Sequence, residues 1–147
     1  VTKVNFYRIQ GGSDAAVELS CRLADRAWQN CSDILIYATD KHIVESLDER
    51  LWSWSTGSFL PHRLSATEGP ETITLRTGSN GEPGEPGNHH GLLINLAAKT
   101  PDWFGRFESI SEVIYGAEDF VEDKRLRYKF YKDRGYPIEY HDMTERF

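Results

Sequence analysis

The side chains best equipped for chemistry crowd into one stretch, KRLRYKFYKDRGY, from Lys124 to Tyr136. The chain has 147 residues and a formal net charge of -6, yet six of its 17 Lys and Arg residues fall between Lys124 and Arg134, interleaved with Tyr128, Phe130 and Tyr131. Guanidinium and ammonium groups pair with carboxylates or phosphates, while rings and alkyl stems take up an apolar group or stack on a base. Read as a helix advancing about 100° per residue from Phe120, the stretch gathers Val121, Lys124, Arg125, Tyr128 and Lys132 between about 40° and about 140°. Leu126 and Phe130 fall near about 240° and about 280° on the same wheel, so they are expected to attach the helix to the core. The displayed face suits an acidic peptide with one apolar anchor, or single-stranded nucleic acid, or is a solvated face that offsets acidity elsewhere. Residues 1–119 carry ten basic and 17 acidic side chains, against seven and six in 120–147. The acidic total argues against non-specific coating of duplex DNA and makes any anion-binding role local.

A second cluster is apolar. Trp52, Trp54, Phe59 and Leu60 stand within nine residues, among Ser53, Ser55, Thr56, Gly57 and Ser58. Large rings among small polar residues are the usual anchors of a protein interface, and equally the usual lining of a core. The pattern leaves both readings open.

Other candidates carry less. His89 and His90 are adjacent in a glycine-rich segment and lack the fixed partners of a metal site, so no metal is expected. His62 and His141 could serve as general bases, but no nucleophile motif accompanies them, and structural roles are expected. Cys21 and Cys31 match neither a zinc spacing nor C-x-x-C and read as buried thiols. The first glycine turn, IQGGSDAA, lacks both G-x-G-x-x-G and G-x-x-x-x-G-K-[ST], and Asp14 would put negative charge where a phosphate must sit. Neither a nucleotide nor another cofactor is expected.

The elements that position these residues follow from hydrophobic periodicity. VNFYRI (Val4 to Ile9), DILIYAT (Asp33 to Thr39), SFLPHRL (Ser58 to Leu64), ETITLRT (Glu71 to Thr77) and GLLINLA (Gly91 to Ala97) read as five strands. Val17, Cys21, Ala24 and Trp28 mark the buried stripe of a helix capped by Ser13 or Asp14. Ile43, Val44, Leu47 and Leu51 mark a second, capped by Asp40. The stretch WFGRFESISEVIY is expected to be helical, with Phe104, Phe107, Ile110 and Ile114 facing the core. A last helix runs from about Phe120 to Asp133 and ends at Gly135, and PIEYHDM is a possible short terminal strand.

Strand and helix alternate, which implies right-handed crossovers and an α/β fold: a single-domain three-layer sandwich over 1–147, with about five mostly parallel strands flanked by helices, Rossmann-like without a nucleotide site. GSNGEPGEPGNHH, about 78–90, reads as a flexible loop. No apolar run approaches the roughly 18 residues of a membrane span, so no membrane partner is expected. The N-terminal VTKVNFYRIQ lacks the pattern of a signal peptide, and the expected location is cytoplasmic.

Several segments carry a resemblance: Phe6 and Tyr7, Ala27 and Trp28, LDERLWSWSTGSFLPHRL (Leu47 to Leu64), LLINL (Leu92 to Leu96), FGRFESISEVI (Phe104 to Ile114) and RYKFYKDRGYPIEYHDM (Arg127 to Met143). Together they resemble the chi subunits of bacterial DNA polymerase III. That resemblance implies an α/β fold without nucleotide-binding residues and an accessory role in replication with no catalytic site of its own. It implies two partners. One is the psi subunit, which tethers chi to the clamp loader. The other is the acidic, Phe-ending C-terminal tail of single-stranded DNA-binding protein, so DNA is met mainly indirectly. The psi-facing positions match Trp52 and Phe59, with Trp54 and Leu60 beside them. The tail-facing positions match Lys124, Arg125, Tyr128 and Lys132, with Val121 expected beside the ring of the bound Phe. The alternative is direct binding of single-stranded nucleic acid by the same basic helix.

Overall fold

A computed structural model describes residues 2–29, 34–38, 40–52, 62–64, 73–77, 91–97, 100, 102–116 and 118–143; for 28, 29, 41, 52, 62–64, 73–77, 102, 103 and 118–120 it gives the main-chain course only. Along the chain come β1 (Lys3–Arg8), α1 (Ser13–Gln29), β2 (Ile34–Ala38), α2 (Lys41–Trp52), β3 (His62–Leu64), β4 (Ile73–Thr77), β5 (Leu92–Asn95), a 3-10 turn (Asp102–Arg106), β6 (Ser109–Ile114), α3 (Glu118–Asp133) and β7 (Ile138–Asp142).

The strands form one sheet in the order β3-β4-β2-β5-β6-β1-β7, and each neighbouring pair runs parallel. Parallel sheets need both faces covered, and the sequence of β2, ILIYA, is buried throughout for that reason. The α/β sandwich is the architecture that the alternating elements imply, with the sheet two strands wider than the five of the sequence reading. One added strand is β7, the terminal strand.

The other is β6, which corrects an expectation. The stretch expected to be helical forms only the short 3-10 turn and then a strand between β5 and β1. Phe104, Phe107, Ile110 and Ile114 are all core residues as expected, so the positions were right and the period was wrong. Buried Glu112 is the cause. It shares a face with Ile110 and Ile114, and a carboxylate at that place hides the alternation of a strand.

Helices α1 and α2 cover one face. Val17, Cys21, Ala24, Ile43, Val44, Leu47 and Leu51 pack there with Ile34, Ile36, Ile94 and Val113. The carbonyl of Gly12 accepts the first helical bond of α1, from Ala16 N at 3.1 Å, so Gly12 rather than Ser13 or Asp14 holds the cap. Asp40 caps α2 as expected, its Oδ1 accepting from His42 N at 2.8 Å. Arg50 of α2 donates to Glu18 of α1 at 2.9 Å. Burial pushes the Cys21 thiol up to about 12, consistent with a packing role.

The 3-10 turn and α3 cover the opposite face, over Val4, Phe6, Leu35, Tyr37, Leu93, Ile110 and Ile114. Helix α3 stops at a left-handed Gly135, φ 78°. There Gly135 N donates to Lys132 O and Tyr136 N to Tyr131 O, each at 3.1 Å, which satisfies two terminal carbonyls. The chain then enters β7 beside β1.

Candidate functional site

Alternation in β1 sends Val4, Phe6 and Arg8 to the α3 side of the sheet. Ile114 ends β6 on that side, and Tyr140 stands on β7. Together with Val121, Lys124, Arg125 and Tyr128 of α3, residues Phe6, Arg8, Ile114 and Tyr140 line an open groove of about 390 Å³. It lies towards the carboxyl ends of β1 and β6, where the chain departs to α1 on one face and to α3 on the other. Parallel α/β sheets commonly receive ligands at that end.

Tyr128 anchors one wall. Its ring lies 5.2 Å from that of Phe6 and 6.4 Å, edge-on, from that of Tyr140. Arg125 lies on the solvent side with 71% of its side chain accessible, 3.5 Å from Glu122. Four of the five residues expected to display a binding face therefore do line one cavity: Val121, Lys124, Arg125 and Tyr128. Lys132 does not line it; it is exposed one turn beyond Tyr128.

Lys124 has a different role from the one expected. Its side chain is fully buried, and its Nζ lies 2.7 Å from Oε1 of Glu112, itself fully buried. Glu112 Oε1 also accepts from Asn95 Nδ2 at 2.6 Å, and Oε2 accepts from Tyr131 OH at 2.8 Å and Thr100 Oγ1 at 2.5 Å. Lys124 and Tyr131 stand two turns apart on α3 and so hold both oxygens of one strand carboxylate. Burial alone would raise the Glu112 pKa, but the Lys124 charge and the hydrogen bonds from Lys124, Thr100 and Tyr131 hold it below the usual carboxylate range. Burial and that same carboxylate push the Tyr131 phenol far up. A charge already matched in this way is a poor receiver for a ligand's carboxylate.

The other bases divide similarly. The Arg127 guanidinium lies over the rings of Phe130, Tyr131 and Phe104, at 3.9, 4.7 and 4.8 Å from their centroids, and that of Arg134 lies 4.0 Å from Phe130. These are cation–π contacts that hold the helix end to its aromatic cluster. Leu126, expected in the core, has 62% of its surface exposed, and Phe130 is only half-buried. The buried side of α3 is centred on Lys124 and Tyr131 instead. Arg125, Lys129 and Lys132 remain outward.

Trp52 closes α2, with its main chain alone described; Trp54, Phe59, Leu60 and the 78–90 segment lie outside the described residues, as do His89, His90 and Cys31. His141 stacks on Tyr7, centroids 4.6 Å apart and planes 12° from parallel, and its Nε2 is 3.3 Å from Asn5 Oδ1, a packing role. Among the described residues no three His, Cys, Asp or Glu side chains gather as a metal site requires, and no helix is long and apolar enough to cross a membrane.

Arg8 and Tyr140 were missed by sequence reading. They stand more than a hundred positions apart, and only the parallel pairing of β1 with β7, Arg8 opposite Asp142 and Phe6 opposite Tyr140, brings them to one groove.

Residues 1–139 match the family described as DNA polymerase III chi subunit, HolC. The chain is 32% identical over 144 residues to the DNA polymerase III subunit chi of Pseudomonas aeruginosa, covering 97% of this chain and 98% of that one. It is 30% identical over 131 residues to that of Escherichia coli, covering 86% and 85%, and 29% identical over 123 residues to that of Haemophilus influenzae, covering 82% and 83%. Among solved structures, T4 UvsW superposes on 97% of this chain and 42% of its own with a TM-score of 0.65 at 7% identity, a likeness of fold alone.

Proposed function

The chain belongs to the DNA polymerase III chi subunit family, and on that footing we propose that it is a noncatalytic adaptor in DNA replication whose α3 groove receives the acidic, Phe-ending C-terminal tail of single-stranded DNA-binding protein. The observation that carries this reading is the composition of the groove. Phe6, Ile114, Val121, Tyr128 and Tyr140 supply apolar lining, while Arg8 and Arg125 supply guanidinium groups. A ring seats among the former, and carboxylates pair with the latter by charge-assisted hydrogen bonds. Nucleic acid would find less. Of the six bases in 124–134, Lys124, Arg127 and Arg134 are engaged with protein carboxylate or rings, so the stretch is less of a phosphate-binding surface than its composition suggests.

A second surface joins the psi subunit and, through it, the clamp loader, with Trp52 and Phe59 as anchors and Trp54 and Leu60 beside them. Two modest affinities on one body raise the effective concentration of polymerase at coated template. No chemical step is required of the chain, no cofactor takes part, and DNA is reached chiefly through its partners in the cytoplasm.

The test is titration calorimetry with a peptide ending Asp-Asp-Ile-Pro-Phe, single-stranded oligonucleotide being the competitor. Saturable peptide binding that weakens with salt and is mostly lost on deleting the Phe is the expected result. Tighter binding of the oligonucleotide, or equal binding without the Phe, would replace the adaptor reading of this groove with that of a nucleic-acid or general anion site. For the second surface, Trp52→Ala or Phe59→Ala should weaken psi binding by about 2 kcal/mol or more, as truncated hot spots do, with the thermal transition of the isolated chain retained.

A further inference from the structure

The floor of the α3 groove contains a basic side chain whose charge is spent elsewhere. Lys124 lines the groove with Ile114 and Val121, yet its side chain is fully buried and its Nζ ends 2.7 Å from Oε1 of Glu112. That carboxylate takes no part in the lining. It stands two places before Ile114 on the same face of β6, about 7 Å further along the strand. Asn95, Thr100 and Tyr131 donate to the same group, so its place is fixed by three other side chains and the ammonium is held with it. What Lys124 lends to the groove is therefore its methylene stem, which adds to the apolar seat of Phe6, Ile114, Val121 and Tyr128.

We propose that Glu112 is a positioning residue that sets the specificity of the groove: it holds the Lys124 ammonium beneath the floor, so that the seat takes an aromatic anchor rather than any acidic side chain. This assignment rests on the proposed tail-binding function and adds to it a residue that no ligand touches. The physical reason is the cost of an unmatched charge. An ammonium without its carboxylate is expensive in a dry site, and a flexible four-carbon stem carries it readily to water in the open groove that the stem already lines. The seat then becomes cationic, attracts carboxylates of any sequence and no longer rewards a ring.

The experiment is fluorescence anisotropy of the full chain with two labelled acidic peptides, one ending in Phe and one with that Phe replaced by Ala, for the wild type, Glu112→Gln and Glu112→Gln with Lys124→Met. Gln is the informative change, because the hydroxyls of Thr100 and Tyr131 accept as well as donate and an amide keeps their contacts while the charge is lost. The wild type should prefer the Phe peptide by about 10- to 100-fold, the range for burying one such ring. In Glu112→Gln the ratio should fall several-fold, chiefly because the Ala peptide binds more tightly and with a steeper dependence on salt. The double variant, with no ammonium to release, should restore the wild-type ratio. A merely structural role would instead weaken both peptides alike. If Glu112→Gln melts early, the wild type decides: by NMR the Lys124 ammonium should stay protected from exchange with water while the Phe peptide saturates the groove, and exchange at the rate of an exposed lysine overturns the assignment. An unchanged ratio in Glu112→Gln, or a double variant that behaves like it, also overturns the assignment and leaves tail binding standing. Failure of the wild type to bind, or equal binding of the two peptides, removes the tail-binding function and the assignment together.

Discussion

Lys124 and Arg125 are consecutive, carry the same charge and sit on one helix, yet they belong to two different regions of the molecule. Lys124 turns into the sheet and is matched there by a carboxylate that three other side chains also hold. Arg125 turns out to solvent, where its pairing with Glu122 is long and exposed. A step of about 100° around the helix separates a buried, paired charge from a solvent-facing one. Basic composition at a helix therefore says little about ligand binding until the side on which the helix docks is known.

The largest test of that contrast is Lys124→Ala. It leaves Glu112 charged and buried without its cation, and breaking a buried pair from one side commonly costs about 3–5 kcal/mol. Chemical denaturation should show a loss of that order, where a surface lysine would change stability by less than about 0.5 kcal/mol. The paired replacement Glu112→Leu with Lys124→Met should recover only part of it: apolar groups of similar volume can substitute for a buried pair, but Asn95, Thr100 and Tyr131 then lose the acceptor they share.

Next comes Arg125→Ala, with the opposite profile. Stability should stay within about 0.5 kcal/mol of wild type, while tail-peptide affinity falls by about 1.5 kcal/mol or more in calorimetry. Loss of stability without loss of affinity would place Arg125 in the same class as Lys124.

Acid separates the two regions by their linkage to protons. The Glu112 pKa is lowered by folding, so its contribution is present above the unfolded carboxylate value of about 4.3 and is lost as pH falls through the folded value. Denaturation midpoints should drop on the acid side of pH 4 in the wild type and drop less steeply in the Glu112→Leu, Lys124→Met pair. An equal slope in both would assign the acid loss to other carboxylates. The smallest expected effect is at Glu122→Gln: the exposed pair contributes at most about 1 kcal/mol, stability should barely move, and peptide affinity should rise by a few fold as a competing carboxylate leaves Arg125.

The same contrast explains what the sequence disclosed. Stripes such as Ile43, Val44, Leu47 and Leu51 in α2, and the unbroken run of β2, announce their burial because every member is apolar. Tyr128, Val121 and Arg125 could be grouped because helical spacing alone brings them together. Glu112 and Lys124 could not be found as core residues, since each is read as polar singly and is at home inside only because of the other. That one pair accounts for both larger errors, a strand taken for a helix and a docking side of α3 placed on Leu126 and Phe130. Arg8 and Tyr140 escaped for a separate reason, namely that strand neighbours in a parallel sheet leave no local trace in the chain.

β1 lies between β6 and β7, which come from the last third of the sequence. During synthesis the first strand therefore waits for about 100 further residues, roughly 5–20 s at ordinary ribosome speeds, before either flank can form. Until then its N–H and C=O groups have no sheet partners, while β2, β4 and β5 can already assemble with α1 and α2. The groove is thus among the last parts of the molecule to exist, and a nascent chain stalled before α3 lacks one of its walls altogether.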